Sequence, residues 1–502
     1  MNPVYPGLPA VWGLGVVVFA AAASLWFLRA PPPAPPRAAG LSLARLPGLA
    51  GLMRGLRHPA PLLAARLVFA GLFLFVIVAG LFGDPSPRHN AATVLTWTFW
   101  WTGVALSIFF LGSAWCAVCP WDSLATWLVR RRLRRRRDAG LQWRVPRGLQ
   151  NTWPAAALLV VLIWLELGAG VSASPFATAL VALALLALAA LSLAVFERKA
   201  FCRYFCPVGR SVGAYSQLAP VSLGPVDGEV CRRCTVLACY HGTERVEPCP
   251  THLVIGRARQ TQYCTSCGAC LWSCPYHNVA WSLRPLAAEV VSQQRTRWDE
   301  AGFVLALVML TSFYGLTRLP AWEEGMQRLG WFVGDTGGLR SFTLALAAGV
   351  ALPVVLYAAM VALSARLSRT GLSYRRLFVN LAYTALPLAF AYHLAHNLNY
   401  LLREAGGMGA VLADPLGRGA PPAPATLVAR PLLPEAVLHA SQAALMGLGF
   451  WLALKILRHR VRQLGEDGPP VAPWRVSPVL AFLLLIGGFN LWLLMQPMVA
   501  RF

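Results

Sequence analysis

Ten apolar runs, near residues 10–28, 65–83, 91–113, 153–173, 176–196, 301–318, 341–363, 377–402, 432–454 and 477–498, recur along this chain of 502 residues. Each approaches the roughly 20 residues that an α-helix needs to cross a hydrocarbon layer. That layer holds no water to satisfy backbone N–H and C=O groups, so each run must pair them within itself, as a helix does. Composition agrees: 57% of residues are hydrophobic and 13% charged, about half the charged share of a soluble domain. The expected fold class is an α-helical polytopic membrane protein with about ten transmembrane helices. The first run is expected to be a retained helix rather than a signal peptide. Its leading MNPVYP carries no positive charge, and Arg29 and Arg37 follow it.

The formal charge of +24 reads as membrane topology rather than nucleic-acid binding, because Lys and Arg accumulate in cytoplasmic loops. RRRLRRRR (130–137) follows the third run and marks its side as the inside. Counting outward from it, the Arg-bearing loops 29–61, 129–147, 198–300, 364–376 and 455–475 fall inside. Loops 84–90, 319–340 and 403–431 and both termini fall outside. The expected location is a bacterial-type inner (cytoplasmic) membrane. PPPAPPRAAG (31–40) reads as a stiff linker.

One segment breaks the apolar pattern. YCTSCGACLWSCPYHN (263–278) spaces its thiols as Cys264-x2-Cys267-x2-Cys270-x3-Cys274-Pro275. Three thiolates from one tight loop hold three corners of a cubane iron–sulfur cluster, and a fourth before proline ligates a second cluster. Zinc sites use two separated pairs instead. Upstream, Cys231-x2-Cys234-x4-Cys239-x9-Cys249-Pro250 is a stretched version of the same run. Crossed ligation groups Cys231, Cys234 and Cys239 with Cys274, and Cys264, Cys267 and Cys270 with Cys249. Residues 223–298 are therefore expected to form an inserted cytoplasmic, ferredoxin-like domain with two [4Fe-4S] clusters, the clusters themselves organising its fold. His252 and His277 beside these cysteines read as covering or tuning groups.

The remaining four cysteines sit in WCAVCPWD (115–122) and FCRYFCPVGR (201–210), each a close pair followed by proline. Cys116, Cys119, Cys202 and Cys206 supply enough thiols at one depth for a third iron–sulfur cluster. A thiol–disulfide pair, or cysteines that only pack, is the other reading. All twelve cysteines fall on the expected cytoplasmic side, where thiols stay reduced.

Over about residues 65–320 the chain resembles the NapH/NosR-type membrane polyferredoxins. The resemblance rests on C-x2-C-P and C-x3-C-P pairs at cytoplasmic helix ends, followed by a two-cluster segment. It places Cys116, Cys119, Cys202 and Cys206 at the family's boundary-pair positions and the later eight cysteines at its cluster positions. It implies electron transfer in a respiratory chain with a partner redox protein or reductase subunit. A related oxidase-assembly group shares the motifs. The chain departs from the nitrous-oxide type, which has a flavin-binding domain before the first span, and from the nitrate type, which has fewer spans after residue 320.

Polar residues inside the apolar runs are functional candidates, since burying ionisable groups in lipid is costly. AYHLAHNLNYLL (391–402) carries His393 and His396, and PEAVLHASQAAL (434–445) carries His439. His396 and His439 are expected at matched depth on adjacent antiparallel helices, as axial ligands of a b-type haem, with His393 in reserve or beside a quinone. Hydrogen bonding between helices is the structural alternative. Glu166 is expected to accept protons from a quinol or to lie near the outer interface. Trp97, Trp100 and Trp101 read as an interfacial belt.

The expected organisation is an N-terminal helix and linker (1–61), helices with the two Cys-Pro motifs (62–222), the two-cluster domain (223–298) and a C-terminal bundle with the histidines (299–502). The expected function is membrane-bound iron–sulfur electron transfer linked to the quinone pool, within a quinol-linked oxidoreductase. The alternative is redox sensing or metallo-oxidase assembly.

Overall fold

A computed structural model describes residues 4–31, 33–34, 40–131, 139–258, 260–292, 297–335, 338–368, 373–419, 431–466 and 471–501. The arginine run 132–137 and most of the proline-rich linker lie outside the described residues. Among the described residues, nine helices are long and apolar enough to cross a membrane: Ala10–Arg29, Ala60–Phe82, Ala91–Leu111, Pro175–Val195, Trp298–Leu316, Leu339–Ser368, Tyr374–Ala413, Glu435–Glu466 and Pro473–Met495. The remaining expected span is the shorter apolar helix Trp153–Gly168.

Contacts sort the connecting segments onto two faces. On one, the Asp84 N–H donates to the Leu416 carbonyl and the Ala91 N–H to that of Pro415. The strand Val4–Tyr5 pairs antiparallel with Met498–Val499, bringing both chain ends together. The Tyr400 hydroxyl donates to the Val499 carbonyl at 2.8 Å, which ties them to the same face. On the other face, Arg130 pairs with Glu247 at 2.7 Å, and Lys455 and Arg460 donate to the carbonyls of Leu286 and Val290. Segments near 130, 247, 286–290 and 455–460 thus meet on that face.

That second face carries a small polar unit. Its three-stranded sheet has Val279–Leu283 in the middle, with Leu41–Ser42 and Val221–Pro225 on either edge. The sheet begins two residues before position 223 and recruits a strand from the N-terminal linker, so the unit is stitched to the bundle at several points.

The segment Leu386–Glu404 is the centre of the bundle. Glycines let neighbours approach its backbone closely, the usual device where helices pack without a hydrophobic drive between them. Gly449 of Glu435–Glu466 faces Ala391 and the Pro387 carbonyl, and Gly315 faces Tyr392.

Candidate functional site

Both Cys-Pro motifs begin helices for a local reason. Proline is favoured at the first helical position, where its missing N–H costs nothing. Pro120 opens Pro120–Arg130 and Pro207 opens Pro207–Ser216, leaving Cys119 and Cys206 as the residues that cap them. The Cys206 sulfur accepts the Gly209 N–H at 3.2 Å. A helix N-terminus favours a thiolate through its dipole and free N–H groups. Cys202 lies in a wide π-type turn, Phe201–Phe205, a geometry frequent at functional sites.

These motifs meet. Cys116, Cys119, Cys202 and Cys206 line one cavity, together with Trp115, Trp121, Leu185, Ala189, Leu193 and Thr265. Its open space is about 50 Å³, where one water needs on the order of 10–15 Å³. Ala189 is fourteen residues from Pro175, the far end of its helix, or about 21 Å by helical rise. The cavity therefore lies toward the Val195 end of that helix. Burial, then neighbouring Cys206, pushes the Cys116 thiol up to about 12, with Arg210 opposing. Burial, then Asp122, raises Cys119 and Cys202 well above their usual range. Any metal centre here must therefore displace protons as it binds.

Two charged residues outside the sequence expectations flank this cavity. Lys199 and Asp122 form a nearly buried ion pair at 2.7 Å. Burial alone would lower Lys199, but Asp122 and then Glu247 hold it above its usual value. The Cys202 thiol points at Asp122 at 4.0 Å. Both residues border the cysteine motifs in sequence, Asp122 two after Cys119-Pro120 and Lys199 three before Cys202. Their opposite charges at that spacing were the available signal.

The other eight cysteines separate into two sets along the crossed lines. Cys231, Cys234, Cys239 and Cys274 line a cavity with Leu237, Ile255 and Val279. Asn278 donates to the Cys231 sulfur at 3.3 Å. In the other set, burial and then Cys264, Cys267 and Cys249 raise Cys270, with Cys239 of the first set contributing last. Burial pushes Cys264 up to about 12. The Leu253 N–H donates to Cys249 at 3.3 Å and the Ser266 N–H to Cys264 at 3.4 Å. No cysteine is in a disulfide. Among the described residues no three Cys, His, Asp or Glu side chains converge as one metal ion requires.

The three sets lie in series. Cys239 is near enough to Cys270, and Cys264 to Cys116, to raise those thiols. The Ser113 and Ser266 hydroxyls hydrogen-bond at 2.8 Å. Arg66 donates to the Ala117 carbonyl at 2.8 Å and to that of Cys267 at 3.4 Å. Gly213 permits a close approach at this junction, since a Cβ there would meet the Gln262 carbonyl oxygen at 2.0 Å. Gly213→Ala should therefore push the loop that carries Cys264 off the bundle and cost about 1–3 kcal/mol. Thermal unfolding in detergent checks this, and an unchanged midpoint would show that the junction yields freely.

The histidines are placed differently from expectation. Gln442 donates to the Ala395 carbonyl at 3.1 Å, and Arg403 pairs with Glu435 at 3.3 Å. This register sets His439 opposite residues 398–399, two to three residues or about 4 Å toward Glu404 from His396 rather than level with it. The residue count from each helix end did not anticipate that the central helix continues to Glu404. The two histidines are thus offset, not level as expected for axial ligands. His396 is instead surrounded by Tyr314, Tyr392 and Tyr400, with ring centroids at 5.8, 5.6 and 5.0 Å. It is 2% exposed, and among the described residues neither ring nitrogen has a hydrogen-bond partner. His393 packs between the tilted rings of Trp101 and Tyr215.

Glu166 is buried in the same region as His396, near Tyr314 and Arg318. Arg318 donates to the Tyr314 hydroxyl at 3.2 Å. Arg501 donates to Asn397 at 2.6 Å and covers the Tyr400 ring. Trp100 does not belong to an interfacial belt. Its ring packs on Trp115 and Trp121 beside the four-cysteine cavity, at 5.7 and 5.4 Å.

A family model described as a 4Fe-4S binding domain matches residues 93–137 and 178–212. Those two stretches hold the four boundary cysteines, and the match supports iron–sulfur binding by this chain. The "Putative electron transport protein YccM" of Escherichia coli (strain K12) is 29% identical over 142 residues, 27% of this chain and 37% of the relative. The chain thus matches little more than a third of that curated relative's length. No solved structure matches it.

Proposed function

We propose that this chain is a multi-pass membrane protein of iron–sulfur electron transfer, with three sets of four cysteines that each hold one cluster. Cys231, Cys234, Cys239 and Cys274 would hold the first, Cys249, Cys264, Cys267 and Cys270 the second, and Cys116, Cys119, Cys202 and Cys206 the third. The observation that carries this reading is the fall of all twelve cysteines into three sets in series, from the polar unit into the bundle. The clusters would supply one-electron chemistry. The protein's part is to bury the thiols, offset charge with Lys199 and Arg210, and keep water from the innermost set. The family match over the third set and the name of the Escherichia coli relative point the same way. The arginine-rich loops support a reading in which the chain crosses an inner membrane ten times and the sets lie on its cytoplasmic side.

Membrane quinone is the redox partner that the opposite face fits. His396 offers unpartnered nitrogens, and Glu166, Tyr314 and Arg318 supply groups that bind or move protons. Dithionite-reduced protein in liposomes should be reoxidised by a ubiquinone or menaquinone analogue. His396→Ala and Glu166→Gln should each slow this at least about tenfold, the low end of a general acid–base contribution being about a hundredfold. Reoxidation at the same rate in both variants would remove the quinone from this site.

A further inference from the structure

A cleft of about 370 Å³ lies between the start of the helix Ala60–Phe82, the Asp122–Lys199 pair and the Cys267 loop. That volume falls within the range of about 300–1,000 Å³ usual for small-molecule sites. We propose that it binds a phosphate-bearing ligand with an apolar body. The site does not depend on the cluster reading.

The charge of the walls decides the ligand's sign. Arg57, Arg66, Lys199 and Arg245 line the cleft. The two carboxylates there are already engaged, Asp122 by Lys199 at 2.7 Å and Glu247 by Arg130 at 2.7 Å. Among the described residues Arg66 bonds only to neutral carbonyls, those of Ala117 and Cys267, and no carboxylate there pairs with it. Arg57 and Arg245 are exposed at the mouth. Neither has a carboxylate partner among the described residues. Guanidinium groups present paired N–H donors that match phosphate oxygens. Pro59, Leu63, Leu271 and Trp272 form the remaining wall, a surface for an apolar or planar body and not for a bare ion.

Two sources share this chemistry. One is an anionic phospholipid headgroup, because the short helix Leu49–Leu56 just before Arg57 exposes Leu49 and Leu52 and basic pockets at this face take such headgroups. The other is a soluble nucleotide-type phosphate entering from the polar side, where Arg245 and His277 stand.

The test uses the full chain, purified without oxygen, in phosphatidylcholine nanodiscs. In one arm, riboflavin 5′-phosphate and riboflavin are titrated in and followed by flavin fluorescence. In the other, discs with phosphatidylglycerol are used and retained lipid is counted by native mass spectrometry. One phosphate probe should bind at least about tenfold tighter than its counterpart, riboflavin or phosphatidylcholine, as expected for one charge-assisted contact. The Arg57→Gln, Arg245→Gln double variant should abolish that preference, and Arg54→Gln, whose Nε bonds the Ala50 carbonyl one turn away, should keep it. The responding arm identifies the source. No phosphate preference in either arm, or a preference that survives in the double variant, overturns the proposal. Iron is measured on the same samples, so a shortfall of clusters with the phosphate preference intact would count against the proposed function alone.

Discussion

Cys270→Ala should remove about four of about twelve irons per chain and leave the other two clusters assembled, each cubane holding four irons on four thiolates. Cys274→Ala should also remove about four, but from a different cluster, although the two cysteines are separated by three residues. This follows from the crossed arrangement, in which Cys270 keeps company with Cys249, Cys264 and Cys267 while Cys274 lines the cavity of Cys231, Cys234 and Cys239. Paramagnetic-resonance spectra of the two reduced variants should lose different signals. Loss of the same signal in both would end the crossed assignment, whatever the iron total.

The second large effect concerns the ion pair beside the innermost set. Lys199→Met leaves the Asp122 carboxylate buried without its cation, next to the Cys202 thiol. Breaking a buried pair from one side costs about 3–5 kcal/mol, whereas replacing both partners is often close to neutral. The single variant should therefore melt far below the parent and lose the third cluster. The Asp122→Asn, Lys199→Met double variant should recover most of the stability. A mild single variant, or a double variant no better than the single, would show that the pair does not hold this junction together.

How much of this was legible beforehand depended on whether the information is local. The apolar runs were, because a helix in lipid satisfies its own backbone and needs no partner to be recognised. Only Trp153–Gly168 came out shorter than a full span. The Cys-Pro pairs were legible for the same reason, since proline at the first helical turn fixes the cysteine before it as the cap. Convergence of those pairs on one cavity was only an expectation, because it depends on how the helices Ala60–Phe82 and Pro175–Val195 pack. Packing also decided the histidines. Their spacing within a helix was readable, but the sliding register set by Gln442 on Ala395 and Glu435 on Arg403 was not. Arg66 gave no signal at all. An arginine near a helix start reads as a topology marker, and its bridge between the Ala117 and Cys267 loops exists only in three dimensions. Trp100 was misplaced because aromatic residues near a span end match an interfacial pattern by sequence, whereas its ring turns inward onto Trp115 and Trp121.

The central claim is that three cysteine sets each hold a cluster, and the most direct measurement is the iron and acid-labile sulfide content of anaerobically purified full-length protein. Three cubanes correspond to about twelve irons and about twelve sulfides per chain, and the Cys116→Ser, Cys202→Ser double variant should lower both to about eight. A parent protein that holds about eight of each, with no change in that variant, would contradict the third cluster and leave the boundary cysteines as packing residues.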